Sequence, residues 1–304
     1  MDKPCFYRQR KGVALLITLI TIAVMMVLVG TLVTALGSVQ KDSRDTSSLL
    51  QANVYYGNIV NIFRKFKDKD KELLFSTLYQ APIPFSTEEE NFFMTVGCRP
   101  LANGANINWL GLENDTKMIP NYDITRKIFD SITAMYNLSD PVMLEEMLLE
   151  EIGKEGEFEH KFHSRLLQKR GIISYQQFAH IIDRYQLEAD DPVVSSIPWD
   201  KYFSFTTESN VTDGNYMSAE AVAAIFDMEL SAVEEEWVPG TDALQTFKQT
   251  YQPVDFEKYS PAFSKHFVDI AECEVIYTYA DEPYKFTFMY SKGEVKHFEF
   301  LGRQ

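Results

Sequence analysis

The residues whose types and spacing first raise a question of chemistry stand at the start of the chain. In RQRKGVALLITLI a lone glycine, Gly12, stands between a basic run (Arg8, Arg10 and Lys11) and an apolar block, with no polar spacer. Residues 13–36 carry no charged side chain. As a helix at about 1.5 Å per residue they reach roughly 36 Å, enough to cross a hydrocarbon layer of about 30 Å. Three readings compete: a secretory signal that is removed, a permanent anchor, and a helix both anchored and trimmed. The secretory reading fares worst. A signal h-region spans about 7–15 residues and ends at a small-x-small site, whereas here the block is longer and LLQANVYYGNIVNIFRKF carries its helical character onward.

Other chemistry is sparse. The cysteines are Cys5, Cys98 and Cys273, an awkward odd number for an exported chain. Trimming after Gly12 removes Cys5 and leaves two. In an oxidising compartment Cys98 and Cys273 either form a bridge or remain two separate buried thiols. His160 and His163 stand three apart on a predicted helix beside Glu157 and Glu159. That spacing can hold a metal, but without a third convergent ligand the pair reads as surface. There is no glycine-rich phosphate loop, no Gly-x-Ser-x-Gly and no His-Glu-x-x-His, so no residue is given a catalytic role and the chain is not read as an enzyme.

Charge narrows the partners. The formal net charge is −15, and the first twelve residues are net basic, so the remainder is more acidic still. Such a surface repels phosphate backbones, and no nucleic-acid partner is expected. The basic run ahead of the apolar block keeps the N-terminus cytoplasmic and sends the rest of the chain across the membrane.

The elements that must position these residues follow from periodicity. No proline interrupts residues 13–66. Leu49, Ala52, Tyr56, Ile59, Val60, Phe63 and Phe66 recur at helical spacing as one stripe, which predicts a single long helix, half in lipid and half packed by one face on a globular domain. KFKDKDKE (65–72) is expected to end it. NFFMTVGC and NINWLGL read as a hairpin or edge strands. From Ile124 to about Thr250 the pattern turns helical, with Asp140-Pro141, Ser174, Ser218 and Ser231 at N-cap or first-turn positions. HFVDIAECEVIYTYA and the alternating KFTFMYSKGEVKHFEFLG predict three closing strands, the last two joined by a tight SKGE turn. The fold class is therefore α+β: a long N-terminal helix on a small antiparallel sheet, with a large all-helical insertion, since neither flanking strand region could bury a sheet alone.

At this point the residues resemble a family. Gly12 followed by VALLITLITIAVMMVLVG is similar to the leader of type IV pilins and type II secretion pseudopilins, in which a prepilin peptidase cuts after the glycine and methylates the new N-terminal residue, here Val13. RQRKGVALLITLI most resembles the K-type (GspK family) minor pseudopilin. Ile17 stands at mature position five, where a glutamate is usual and where the K-type also lacks one. GIISYQQFAHIIDRYQ, WDKYFSFTTES and TDGNYMSAEAVAAIF are similar to the family's middle stretches; Asn215 and Ser218 keep the pattern, and Asp213 and Met217 depart from it.

The resemblance implies a leader (1–12), a transmembrane half-helix (13–36), a helix continuation with the first strands of a pilin-like domain (37–120), a helical insertion (121–250) and C-terminal strands (251–304). It implies a single-pass inner-membrane protein with a periplasmic head, joined to other minor pseudopilins in a tip complex that initiates or caps a filament for protein export. The alternatives are a minor pilin of a type IV pilus or DNA-uptake machine, and a membrane-anchored exported enzyme or binding protein. Family members bind calcium, yet LLEEIGKEGEFEHKF lacks their paired aspartates. Asp190, Asp191, Asp213 and Asn215 could supply oxygens but sit in no recognisable loop. Calcium is left open, with no ligands named.

Overall fold

A computed structural model describes residues 10–66, 68–87, 92–153 and 171–304. The helix α1 runs unbroken from Arg10 to Phe63, through Gly30 and Gly37, where an added Cβ would meet nothing. A second helix, α2 (Asp68–Gln80), starts inside the lysine-aspartate run that the sequence marked only as a helix end.

Five strands form one antiparallel sheet in the order β1 (Ile83–Thr87), β2 (Phe92–Pro100), β5 (Ile270–Tyr279), β6 (Glu282–Ser291), β7 (Glu294–Arg303). The alternation in β5 and β6 puts Ala271, Cys273, Val275 and Tyr277 opposite Tyr290, Phe288, Phe286 and Tyr284 on one buried face. The β5–β6 and β6–β7 turns each have two left-handed residues, Ala280 and Asp281 (φ 50° and 63°) and Lys292 and Gly293 (φ 53° and 83°). That geometry matches the twist of tightly paired strands. The sequence did not signal β1, which Pro84, with Pro82 just before it, argues against; it survives at the sheet edge, where a missing N–H leaves no ladder bond broken.

Between β2 and β5 the chain builds a second core, from Ala105 to Phe263, which takes in the stretch from Ile124 to about Thr250 whose pattern is helical. Its helices are α3 (Ile119–Met135), α4 (Pro141–Ile152), α5 (Tyr175–Ala189), α6 (Trp199–Tyr202), α7 (Ala219–Phe226), α8 (Leu230–Glu236), α9 (Ala243–Tyr251) and α10 (Phe256–Tyr259). A two-stranded parallel pair, β3 (Ala105–Asn106) with β4 (Phe203–Ser204), pins its entry. The caps follow the sequence: Asp140 accepts from Met143 N, Ser174 from Gln177 N and Ser218 from Ala221 N, while Ser231 lies in the first turn of α8. NINWLGL is not a strand. Ile107–Leu112 is a 3-10 helix whose Ile107, Trp109 and Leu110 all enter the helical core, started by Asn106, whose side chain accepts from Asn108 N. A short apolar run looks alike in either form, and burial on the helical side decided it.

Candidate functional site

The functional element is α1, whose two halves differ in what surrounds them. From Leu15 to Leu36 the large apolar side chains are exposed on every side. This helix is long and apolar enough to cross a membrane. Its polar side chains are four threonines, and each satisfies its hydroxyl on its own helix: Thr18 on Leu15 O (2.8 Å), Thr21 on Thr18 O (2.9 Å), Thr31 on Leu28 O (2.9 Å) and Thr34 on Gly30 O (3.0 Å). Lipid offers no partner for an unbonded donor, so this self-satisfaction suits a bilayer. Gly12 and Val13 lie in the first turns of α1, continuous with the span. Ile17 is exposed and apolar like its neighbours.

The second half docks on the sheet. Ser48, Ala52, Ile59 and Phe63 are buried at four- and seven-residue steps. Tyr277 donates its hydroxyl to Ser48 O at 2.6 Å, and Tyr56 donates to Val295 O at 3.2 Å. Burial pushes the Tyr277 hydroxyl up to about 12, so it stays a neutral donor at any physiological pH. Tyr55 meets Tyr277 edge-on at 5.2 Å, and Phe63 meets Tyr290 at 5.1 Å. The predicted stripe is thus correct at Ala52, Ile59 and Phe63, with Tyr56, Val60 and Phe66 half-buried, whereas Leu49 is exposed. Leu50, Val54 and Ile62, on the other side, are exposed.

These contacts orient the head. Tyr277 sits beside Ser48, on the side of the membrane half, and Tyr290 sits beside Phe63, at the far end of α1. Tyr290 pairs with Ala271, which pairs with Pro100. The chain therefore leaves and re-enters the sheet at the end beside Phe63, away from Ser48, and the helical block is attached there.

Cys98 and Cys273 are direct cross-strand partners in β2 and β5. They are joined, Sγ to Sγ at 2.01 Å with Cα atoms 4.0 Å apart, closing a loop of 175 residues around the whole helical block. Cys5, His160, His163, Glu157 and Glu159 lie outside the described residues.

The oxygens considered for calcium are not brought together. Asp191 accepts from Ser139 N (2.9 Å), Ser139 Oγ (3.0 Å) and Val193 N (3.0 Å), and the Ser139 N–H leads in holding its carboxyl below the usual range. Asp213 accepts from Asn215 N and Val268 N, and the Asn215 side chain accepts from Leu244 N. Asp190 is the exposed left-handed C-cap of α5. Among the described residues no group of three or more His, Cys, Asp or Glu is placed to hold a metal ion.

No protein-family model and no curated protein matches the chain. Among solved structures, it is similar to a chain of the GspK-GspI-GspJ complex from the type 2 secretion system of enterotoxigenic Escherichia coli. The match has 12% identity and a TM-score of 0.48, covering 86% of this chain and 98% of that one.

The site residues that sequence alone did not reveal are the partners of α1. Tyr277 and Tyr284 fasten its Ser48 end, and Phe75 and Tyr290 its Phe63 end. Their signal was present as alternating aromatics in two strands, but nothing in a single sequence says which helix such a face will receive.

Proposed function

We propose that this chain is a minor pseudopilin of a type II secretion system, a structural subunit at the tip of a short periplasmic filament where it initiates or caps assembly for protein export. A prepilin peptidase removes residues 1–12 on the cytoplasmic face and methylates Val13. α1 then holds the protein in the inner membrane with its head in the periplasm.

The observation that carries this reading is one continuous helix that does three jobs in order. It is described from Arg10 through Lys11, Gly12 and Val13, runs exposed and apolar across a bilayer's thickness, and then docks a single face on its own antiparallel sheet. An ordinary anchored enzyme has no reason to continue its anchor into its core. The tip position is supported by bulk and by Ile17. The helical block rides on the membrane-distal end of the sheet, where it would obstruct repeated stacking. A subunit with none above it needs no lipid-buried glutamate for a neighbour's amine, and a charge in lipid is kept only where a partner uses it.

The test is association. The full chain in detergent, mixed with each pilin-like protein encoded beside it, co-purifies with at least one, and deletion of its gene impairs filament initiation and export. No association with any such sibling, together with intact export after deletion, would contradict the proposal.

A further inference from the structure

Asp213 is a buried carboxylate with no ion pair among the described residues. It is 1% exposed. Asn215 N donates to it at 3.3 Å and Val268 N at 2.9 Å, while its own N–H donates to Ala102 O at 2.7 Å. Three stretches meet through this one residue: the connection leaving β2, the 213–216 turn of the helical block, and the segment returning to β5. Thr212 beside it adds a donation from its N–H to Ala262 O and from its hydroxyl to Gly104 O, both at 2.8 Å. The outgoing and returning connections between the helical block and the sheet thus pass through one hydrogen-bonded knot.

α2 closes the other side of this seam. Tyr79 packs edge-on against Tyr216 at 5.0 Å, and Phe267 lies between that pair and Phe75. The titratable groups that face Asp213 are Glu72 and Tyr79 from α2 and Tyr216 from its own turn. On the returning segment Asp269 faces Tyr79, and Lys71 lies 3.9 Å from Asp269 and 6.0 Å from the Tyr290 ring, so that cation serves the other carboxylate. No ion pair reaches Asp213 among the described residues. A buried carboxylate with no counter-ion costs free energy whenever it is charged.

We propose that Asp213 is a proton-operated latch on the seam between the helical block and the sheet: uncharged, it rests in the dry seam without a counter-ion, and charging it in that unpaired position loosens the block on its base. Burial, with Glu72 adding to it, outweighs the two N–H bonds and pushes the carboxyl up to about 6 from the ordinary 3.8. Because the folded value is raised, the stabilisation is fully present below the ordinary value and is lost as pH rises through about 6. An opening that hydrates Asp213 therefore becomes about tenfold more favourable between pH 5 and pH 7.5. Tyr79 and Tyr216 are themselves pushed up by burial and by Asp213, so they stay neutral across that window and do not share the titration.

The experiment is hydrogen exchange by mass spectrometry on the full chain in detergent micelles at the two pH values, with rates corrected for the chemical pH dependence of exchange. Peptides covering 211–217 and 264–270 should lose protection about tenfold at the higher pH, while α4 and α5 do not change. Asp213→Asn, which cannot ionise, should remove the pH dependence. If that variant does not fold, carbon-13 labelling of the aspartate carboxyls in the unmodified chain should show one buried group titrating near pH 6. Equal corrected protection at both pH values, an unchanged pH dependence in Asp213→Asn, or all aspartates titrating in the ordinary range would each overturn the proposal.

Discussion

Replacing Phe63 by alanine tests the docking of the membrane helix on the sheet at its most informative point. Phe63 ends α1 and is 4% exposed. Its ring stacks on Phe75 at 5.4 Å with planes 4° apart, and touches Tyr290 at 5.1 Å and Phe288 at 6.1 Å. One side chain thereby ties α1, α2 and β6 together. Removing a buried phenylalanine costs about 3–5 kcal/mol, and the ring pairs place Phe63→Ala toward the middle of that range, about 4 kcal/mol. The adjacent Ile62 is 50% exposed on the outer face, and Ile62→Ala should cost about 1 kcal/mol or less. Tryptophan fluorescence reports the helical core alone, because Trp109, Trp199 and Trp237 all lie there, whereas tyrosines line the sheet core and, with Tyr185, Tyr202 and Tyr259, part of the helical core as well. Urea titration of the full chain in micelles should show the near-UV tyrosine transition falling to lower urea in Phe63→Ala, with the tryptophan-fluorescence transition moving less. Equal costs for the two variants, or a loss read only by tryptophan, would refute the docking argument.

Other outcomes follow from the same structure. Breaking the Cys98–Cys273 link by Cys273→Ser should lower stability, by about 5 kcal/mol in the entropy model for so long a loop; denaturation with and without reductant measures it, and a reductant-insensitive wild type would contradict it. Asn108→Ala removes a side chain that accepts from Ile172 N at 2.7 Å and donates to Ile172 O at 2.9 Å. It should cost about 1–3 kcal/mol, read as an earlier tryptophan transition, because it strands buried backbone groups. Ile17→Glu places an unpartnered carboxylate in lipid, at a cost of about 2.5–3.5 kcal/mol on insertion scales. It should leave assembly unchanged or reduced, and a gain in filament formation would count against the tip position.

How much of this was legible in the sequence depends on how local the signal is. α1 was readable because its apolar block is long and unbroken and its second half keeps helical spacing. The closing strands were readable because Phe286, Phe288 and Tyr290 alternate with Lys285, Thr287 and Met289 before a Lys-Gly turn. The strand β1 was hidden by Pro82 and Pro84, tolerable only because the strand lies at an edge, which is a property of the assembled sheet. Residues 107–112 were misread because Ile107, Trp109 and Leu110 face a core built from segments far away in the chain. The seam at Asp213 was invisible for the same reason, since its partners come from residues 102, 215 and 268 and its neighbours from α2.

The central claim, that this chain is a trimmed and membrane-anchored pilin-like subunit, is tested most directly by the intact mass of the protein extracted from the membrane in which it is naturally made. The account predicts a mature chain that begins at Val13 and carries the mass of one added methyl group on its N-terminal amine. A chain that still begins at Met1, or one that begins beyond residue 36, would contradict it.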